Sequence, residues 1–322
     1  MSSSSILVEN LAKQYKGGVK AVDDVSFTVG EGKIFGFLGP NGAGKSTMIK
    51  ILTTLALPSS GHALVGGYDV VRQAEQVRRI AGVALQDVGI DSLMKPLELL
   101  ILQSQLFGAN RKQAEARARE LLDLVRLNDA ADRRVGTYSG GMRRRLDLAL
   151  ALVHEPEILF LDEPTTGLDP ASRFDVWDEV RRLNRQLGMT IFLTTQYLEE
   201  ADELAEDIAI IVNGKIAAEG SPARLKASLG RESINLAFDS HEMAVNASRL
   251  LMKLEGRNQI DRDVLRVYLS NAAQAIPSVI NRLQQANLNP ISLTLTQPTL
   301  DDVFLQVTGQ RMPVNEQNEL LI

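Results

Sequence analysis

Short apolar runs alternate with amphipathic stretches along most of the chain, from Ile6 to about Ser228. Continuous apolar runs of four to eight residues are typical of strands buried in a sheet. They predict strands at residues 25–29, 34–38, 81–85, 158–162, 189–194 and 207–212. Apolar residues at helical spacing predict helices at residues 47–55, 73–80, 96–107, 112–125, 140–154 and 171–186. The alternation indicates an α/β fold.

Between Gln86 and His154 the pattern is almost purely helical, so we expect a helical subdomain at about residues 87–153 to interrupt the α/β core. Further along, Asn213-Gly214 separates two strand-like segments, which is the signal of a two-residue hairpin turn. The first domain is therefore predicted to cover residues 1–228.

The character of the chain changes after Gly230. Apolar residues at spacing two predict half-buried strands at residues 234–238, 264–269 and 291–295. Helical segments at residues 243–254 and 273–286 separate them, and a last helix starts at Thr299. This order predicts a small α+β accessory domain at residues 229–310 and a loose polar tail at residues 311–322.

Composition narrows the possible functions of these domains. The chain has 322 residues, a formal net charge of −5 and no cysteine, which excludes disulfides and thiolate metal sites. The slight acidity argues against general nucleic-acid binding. No apolar run approaches the roughly 20 residues of a membrane span, so any membrane component is expected to be another chain. Residues 1–5 are expected to be a frayed tail.

A complete phosphate-binding pattern, G-x-x-x-x-G-K-S, follows the predicted strand at residues 34–38 and opens a helix. It consists of Gly39, Pro40, Asn41, Gly42, Ala43, Gly44, Lys45 and Ser46, with Thr47 next. Gly42 and Gly44 let several backbone N–H groups point at one anion, and the helix dipole adds to the attraction. Lys45 can reach the β- and γ-phosphates, Ser46 can ligate Mg²⁺, and Thr47 can donate near the α-phosphate. The pattern predicts a site for a nucleoside triphosphate.

Two carboxylates, Asp162 and Glu163, end the predicted strand at residues 158–162. Asp162 can hold Mg²⁺ through water, and Glu163 can orient or deprotonate an attacking water. The alternative is a buried strand that merely ends in an acidic turn. We favour the first interpretation, because the phosphate loop requires a partner for its metal.

A second possible anion site lies about a hundred residues downstream, where Ser139-Gly140-Gly141 opens another helix. Alone, it would be an ordinary capped turn. Two anion sites in one nucleotide-binding chain suggest that the second binds phosphate held by another subunit. Asp169, in Gly167-Leu-Asp-Pro170, is placed to bridge the two subunits.

Together these motifs resemble the ATP-binding cassette (ABC) family over about residues 6–220. The resemblance matches the phosphate loop, the signature Ser139-Gly140-Gly141, the second Walker strand at residues 158–163 and the D-loop at residues 167–169. It also identifies Gln86 as the glutamine loop, which reaches the metal and catalytic centre, and Tyr15 as the aromatic that stacks on adenine.

The resemblance implies that ATP and Mg²⁺ lie between two head-to-tail copies, each contributing Ser139-Gly140-Gly141 to the other's site. It further implies a separate integral-membrane permease, driven through the Gln86 region, and no nucleic-acid partner. The chain is then expected to be cytoplasmic, as a peripheral protein on the inner face of the cell membrane.

Three departures from the usual family pattern stand out. Gln196 replaces a histidine that contacts the γ-phosphate; a glutamine can donate an N–H but cannot carry a proton. We expect hydrolysis to survive with Glu163 as base, the alternative being a nucleotide-gated switch with weak or no hydrolysis.

Tyr138 and Met142 replace the usual leucine and glutamine of the signature. The arginines at 143–145 are expected to form a mainly solvated basic turn, although contact with the partner's nucleotide is the alternative.

Gln196, together with the segment at residues 297–304, resembles the daunorubicin-resistance type of ATPase subunit. That resemblance implies export of a drug or lipid-like compound. A simpler interpretation of the segment is a helix capped by Thr299, with an apolar stripe of Leu300, Val303 and Phe304. The two interpretations are compatible. A cassette protein acting on ribosomes or DNA is disfavoured, because the chain shows neither a second cassette nor a long coiled-coil insertion.

Overall fold

The structure is a computed structural model that describes residues 4–86, 89–252 and 257–312. It divides the chain into two compact units, Met1–Glu219 and Gly220–Ile322. The predicted boundary lies slightly later, between residues 228 and 229, so the short helix at Pro222–Ala227 belongs to the second unit rather than the first.

The first unit contains ten strands and seven α-helices among its described residues. The strands are β1 Ser4–Gln14, β2 Lys20–Gly30, β3 Ile34–Leu38, β4 Ser60–Val65, β5 Tyr68–Asp69, β6 Ala81–Ala84, β7 Ile158–Asp162, β8 Thr190–Thr195, β9 Asp207–Val212 and β10 Lys215–Gly220. The helices are α1 Lys45–Leu52, α2 Ala74–Ile80, α3 Pro96–Leu106, α4 Arg111–Leu124, α5 Gly140–Ala151, α6 Pro170–Leu187 and α7 Leu198–Leu204.

The central sheet has six strands in the order β10-β9-β3-β8-β7-β6, and its neighbours from β9 to β6 pair in parallel. Every residue of β3, β7 and β8 is buried, which explains their continuous apolar sequences. The register pairs Leu38 with Thr195 and Asp162 with Thr194. The carboxyl ends of these strands therefore meet at one edge of the sheet, where ligands bind in open α/β folds.

A second, four-stranded sheet has the order β2-β1-β4-β5, with antiparallel pairing between its neighbours. Of these strands, the sequence predicted only part of β2. β1 escaped notice because irregular pairing near Leu11 breaks its alternation of buried and exposed residues. The frayed tail expected at residues 1–5 is wrong for Ser4 and Ser5: both belong to β1, and the buried Ser5 hydroxyl lies 2.8 Å from that of Thr190.

Phenylalanines join the two sheets. The ring of Phe27, on β2, lies 5.4 Å from that of Phe35 and 5.9 Å from that of Phe192, and both of these pairs are stacked. Such aromatic pairs contribute about 1 kcal/mol each beyond their burial. They anchor β3 and β8, the strands that lead into the candidate site.

Between β6 and β7 the chain is helical, as the sequence predicted. α3 and α4 come first, and two short 3₁₀ turns at Asn128–Ala130 and Val135–Thr137 then join α4 to α5. α4 begins with a capping box in which Asn110 accepts from the Gln113 N–H at 3.0 Å and Gln113 bonds back to the Asn110 N–H. No helix among the described residues is long and apolar enough to cross a membrane.

In the second unit, α8 Pro222–Ala227 precedes a four-stranded antiparallel sheet. The strands are β11 Glu232–Ala237, β12 Arg257–Asp261, β13 Val264–Leu269 and β14 Ser292–Thr296, in the order β12-β13-β11-β14. α9 His241–Leu251 and α10 Ala272–Gln285 complete a β-α-β-β-α-β unit, and α11 Leu300–Thr308 follows. This order is the split βαβ, or ferredoxin-like, arrangement.

Three strands were predicted for this unit, and β12 is the fourth. It was missed because Ile260 is its one aliphatic residue. The loose tail predicted at residues 311–322 is wrong at its start, since Arg311 pairs with Asp261 at 2.6 Å and Met312 is buried. The rest of that tail, residues 313–322, lies outside the described residues.

Candidate active site

The phosphate loop runs from the end of β3 to the start of α1, as the sequence predicted. Gly44 has a φ of 112°, and a Cβ there would lie 2.1 Å from the Ala21 carbonyl oxygen. A Cβ on Gly39 would lie 2.3 Å from the Ile211 carbonyl oxygen. No side chain fits at either position, so the close wrapping of this loop requires both glycines. Gly42 instead borders open space, with no atom within 4 Å of its Cβ position.

Lys45 is buried at the centre of the loop, with 4% of its surface exposed. Its ammonium donates to the carbonyl oxygens of Gly39, at 2.8 Å, and Pro40, at 3.2 Å. It also pairs with the Glu163 carboxylate at 3.0 Å. One cation thus joins the phosphate loop of α1 to the carboxylate that follows β7.

Asp162 collects two hydroxyl donors at the edge of the sheet. The Ser46 hydroxyl donates to its Oδ1 at 3.2 Å, and the Thr194 hydroxyl donates to the same oxygen at 2.6 Å. The structure therefore brings Ser46 and Asp162 together, as expected for a shared metal. Thr194 was not predicted; its position near the carboxyl end of β8 was the only signal for it.

Glu163 adopts an unusual backbone conformation, with a φ of 48°. Left-handed backbone at a non-glycine residue is uncommon and persists where the surroundings enforce it. Its N–H donates to the Thr194 carbonyl and hydroxyl oxygens, each at 3.1 Å. The Thr166 hydroxyl donates to its carboxylate at 3.2 Å. Backbone and side chain are thus both fixed beside Lys45.

The arginines at 143–145 do not form a mainly solvated turn, so that prediction is wrong. Arg144 is 5% exposed and donates to the carbonyl oxygens of Leu85, at 2.8 Å, and Asp162, at 3.3 Å. It also pairs with the Asp147 carboxylate at 2.7 Å. Burial raises the pKa of Asp147 to about 6, against the opposing effect of Arg144. Arg143 alone of the three is exposed.

Two glutamines flank Asp162 at the carboxyl edge of the sheet. The exposed Gln86 follows β6, which neighbours β7, and the half-buried Gln196 follows β8 on the other side. Beyond Gln196, the buried Glu200 accepts from the Thr165 hydroxyl at 2.8 Å and the Trp177 indole at 2.9 Å. Burial raises the pKa of Glu200. This link between the turn after Glu163 and the start of α7 was not predicted, because its members are far apart in sequence.

Tyr15 lies at the rim of the phosphate loop, 41% exposed. Its hydroxyl is 3.5 Å from that of Thr47, and the Lys13 ammonium lies 5.1 Å from its ring centroid. The structure thus brings an accessible aromatic face next to the loop, where the sequence resemblance expects the adenine.

Ser139 and Asp169 both cap helices. The exposed Ser139 hydroxyl accepts from the Met142 N–H at 3.2 Å, at the start of α5. Asp169 accepts from the N–H and the hydroxyl of Ser172, at 2.9 and 2.6 Å, and these bonds hold its pKa below the ordinary value. Among the described residues, Ser139 donates or accepts no hydrogen bond with the phosphate loop. Its side chain is exposed to solvent.

A phosphate loop after a buried parallel strand, two carboxylates at the carboxyl end of another strand of the same sheet and an inserted helical segment define a P-loop nucleotide-binding protein. Comparisons with known protein families identify the family within this class. Residues 22–166 match the family described as ABC transporter, and residues 220–308 match the ATP-binding protein DrrA1-3-like, C-terminal domain.

Relatives match nearly the whole chain. The daunorubicin resistance ATP-binding protein DrrA3 of Streptomyces coeruleorubidus is 42% identical over 317 residues, 98% of this chain and 99% of that protein. The Nod factor export ATP-binding protein I of Paraburkholderia xenovorans is 38% identical over 314 residues, 97% of this chain and 99% of that protein.

The solved structures agree with the fold. The ATP-binding cassette MJ0796, in a dimeric post-hydrolysis state bound to ADP and Pi, has a TM-score of 0.61 at 26% identity. The match covers 67% of this chain and 98% of that one. The chain belongs to the ABC transporter family, as an ATP-binding subunit of the daunorubicin-resistance type, and its activity is ATP hydrolysis coupled to transport.

Proposed function

We propose that two copies of this chain hold ATP and Mg²⁺ between them and hydrolyse ATP to drive export of a drug or lipid-like compound through a separate membrane subunit. The observation that carries this proposal is the convergence of Lys45, Ser46, Asp162 and Glu163 at one edge of the central sheet. Each of these side chains has a distinct part in phosphoryl transfer.

The loop fits the phosphates of a nucleotide. The open space beside Gly42 leaves its backbone accessible to an anion, and α1 directs its N-terminal N–H groups and dipole to the same place. The Lys45 ammonium lies at the centre of the loop, where bound phosphates would compete with Glu163 for it. The exposed ring of Tyr15 offers a surface for adenine at the rim.

Ser46 and Asp162 fit a magnesium site, because their oxygens converge at 3.2 Å and Mg²⁺ in nucleotide sites takes few protein ligands besides the phosphates. Gln86, at the end of the neighbouring strand, is the third candidate. An ion held by Ser46 and Asp162 would supply positive charge against the charge that develops on the phosphates during hydrolysis.

Glu163 is proposed as the residue that orients the attacking water and takes its proton on a carboxylate oxygen. The Thr166 hydroxyl and the Lys45 ammonium fix that carboxylate. Gln196, one strand away, can donate an amide N–H to a phosphate oxygen, which keeps the geometric part of the usual histidine's role. In this assignment Glu163 is the base, and Gln196 positions the phosphate.

The second copy completes the site through Ser139, Gly140 and Gly141. Ser139 and Gly140 are exposed and Gly141 is buried, and the two glycines lie against Leu168 and Ser172 of the same copy. Support for the dimer comes from the MJ0796 cassette, whose structure is dimeric. In the head-to-tail dimer, Asp169 would approach the other copy while capping α6.

The proposed location is the inner face of the cell membrane, with the cytoplasmic chain bound to an integral-membrane permease. The relatives support export: one is a daunorubicin resistance ATP-binding protein and another is a Nod factor export ATP-binding protein. Those compounds differ chemically, so we propose that the permease selects the substrate. No nucleic-acid partner is proposed.

Glu163→Gln tests the assignment. We expect the variant to bind ATP with an affinity within about twofold of wild type while its kcat falls by about a hundredfold or more, because the base is lost. Purified chain, with its permease where available, would be assayed for Mg²⁺-dependent phosphate release. Normal turnover by the variant would overturn the role of Glu163; no turnover by the wild type would make the chain a nucleotide-gated switch.

A further inference from the structure

We propose that Arg144 is a positioning residue that holds the peptide groups leading into Gln86 and Glu163, and so ties the helix that serves one nucleotide to the catalytic edge that serves the other. This inference rests on the proposed roles of Glu163 and Ser139.

The guanidinium reaches two strands at once. One nitrogen, Nη1, donates to the Leu85 carbonyl at 2.8 Å, and Nη2 donates to the Asp162 carbonyl at 3.3 Å. These carbonyls belong to the peptide groups that join Leu85 to Gln86 and Asp162 to Glu163. The planar fork of an arginine suits such a two-point contact, which a lysine ammonium cannot reproduce.

The Asp162–Glu163 peptide group is held from both sides. Its carbonyl accepts from Arg144, and its N–H donates to the Thr194 carbonyl and hydroxyl oxygens. Because a peptide group is planar, fixing both its C=O and its N–H fixes its orientation. That orientation leads into the left-handed φ of 48° at Glu163, a conformation that needs enforcement. Arg144 therefore acts on the carboxylate through the backbone.

The charge of Arg144 is balanced on its own helix. Asp147 lies one turn along α5 and pairs with Nη1 at 2.7 Å, with 14% of its side chain exposed. Asp147 also lines a cavity of about 540 Å³ that Leu85, Gln103 and Phe107 border. A buried arginine without this carboxylate would be strongly destabilising, so the two residues have to be replaced together.

The position of Arg144 on α5 connects its contacts with Leu85 and Asp162 to the helix start at Ser139. α5 begins at Ser139-Gly140-Gly141, the proposed contact with the nucleotide of the second copy, where Ser139 and Gly140 are exposed. Arg144 lies little more than one turn further on. A shift of α5 as it engages that nucleotide would move the guanidinium against the Gln86 and Glu163 peptides of its own copy.

The experiment removes the contact without stranding a charge. Arg144→Met combined with Asp147→Leu replaces the ion pair with apolar side chains, a change that proteins often tolerate. The matched control is Arg182→Met with Glu179→Leu, which removes another partly buried i,i+3 pair, on α6. Both full-length doubles would be compared with wild type for melting temperature, ATP KM and kcat.

We expect both doubles to melt near wild type and to keep an ATP KM within about twofold. The kcat of the Arg144–Asp147 double should fall by about tenfold or more, since small displacements of a catalytic group cost that much, while the control keeps its kcat. If the double is unstable, Arg144→Lys keeps the charge and should still lower kcat several-fold at unchanged KM. A wild-type kcat in whichever of these variants folds would overturn the proposal.

Hydrogen exchange supplies a readout that does not depend on turnover. In the Arg144 variants, exchange of the Glu163 amide should accelerate by about tenfold or more, with no change in the control. Unchanged exchange would overturn the positioning role even if kcat falls. A wild type that hydrolyses no ATP would instead overturn the proposed function, while leaving this exchange result to decide the role of Arg144.

Discussion

Two helix starts in this chain are both suited to anions, and they differ in how the chain surrounds them. At the enclosed helix start, Gly44–Lys45 of α1, the chain itself supplies Lys45 with two carbonyls and the Glu163 carboxylate. At the open helix start, Ser139–Gly141 of α5, Ser139 faces outward and caps only its own helix. We interpret the first as a site that one chain builds, and we propose that the second is half of a site that a second copy completes.

The largest effect is expected from damage to the enclosed helix start. Lys45→Met should weaken ATP binding by about a hundredfold or more, because a desolvated charge contact to the phosphates is lost. Fluorescent nucleotide titration would measure it. The control is Lys50→Met on the exposed side of the same helix, and equal affinity in the two variants would contradict the comparison.

At the open helix start, Ser139→Asp should lower kcat by about tenfold or more while ATP binding stays unchanged. Aspartate is as good an N-cap as serine, so α5 keeps its cap, but its charge repels a phosphate brought by the second copy. Steady-state ATPase and nucleotide titration give the two numbers. Ser221→Asp, at the N-cap of α8, is the matched control. Equal kcat in all three proteins would mean that no phosphate approaches Ser139.

A smaller effect than at either helix start is expected at Gln196. Gln196→Ala should lower kcat about fivefold, since one neutral hydrogen bond to the phosphate contributes about 1 kcal/mol. Gln196→His should retain activity. Loss of all turnover in the alanine variant would show that Gln196 does more than position, and no loss would remove it from the site.

The smallest expected effect is the pH dependence of stability that comes from Asp147, the ion-pair partner of Arg144. Burial raises the pKa of Asp147 from 3.8 to about 6, so the native state binds this proton more tightly than the unfolded chain does. The stability it contributes is fully present below about pH 3.8 and is lost as pH rises through about 6. The melting temperature of the wild type should therefore fall relative to that of Asp147→Asn as pH rises from about 3.8 to about 6. A difference in melting temperature that stays constant across this pH range would contradict the prediction.

Continuous patterns in the sequence predicted well what local chemistry determines. The bounds of β3, β7 and β9 agree with the predicted strands, and the α/β fold with a helical insertion is confirmed. The phosphate loop and Asp162 come together as expected because parallel strands bring their carboxyl ends to one edge. The roles of Glu163, Gln86 and Gln196 stay predictions.

What the sequence missed depends on distant partners. Arg144 was expected in solvent because three consecutive arginines spread around a helix, yet its partners Leu85 and Asp162 lie 59 and 18 residues away. Likewise, the Thr194 hydroxyl donates to Asp162 from the neighbouring strand. β12 forms a strand because it pairs with β13, although its own composition does not favour one. Tertiary contact, not local pattern, decides such positions.

The central claim is that each nucleotide is held between an enclosed start of one copy and an open start of the other. Light scattering of the Glu163→Gln protein with Mg-ATP tests it most directly. We expect a dimer with twice the mass of the chain that is lost on removing ATP, and a monomer when Ser139→Asp is added. A monomer that retains ATP, or an undiminished dimer in the presence of Ser139→Asp, would contradict the account.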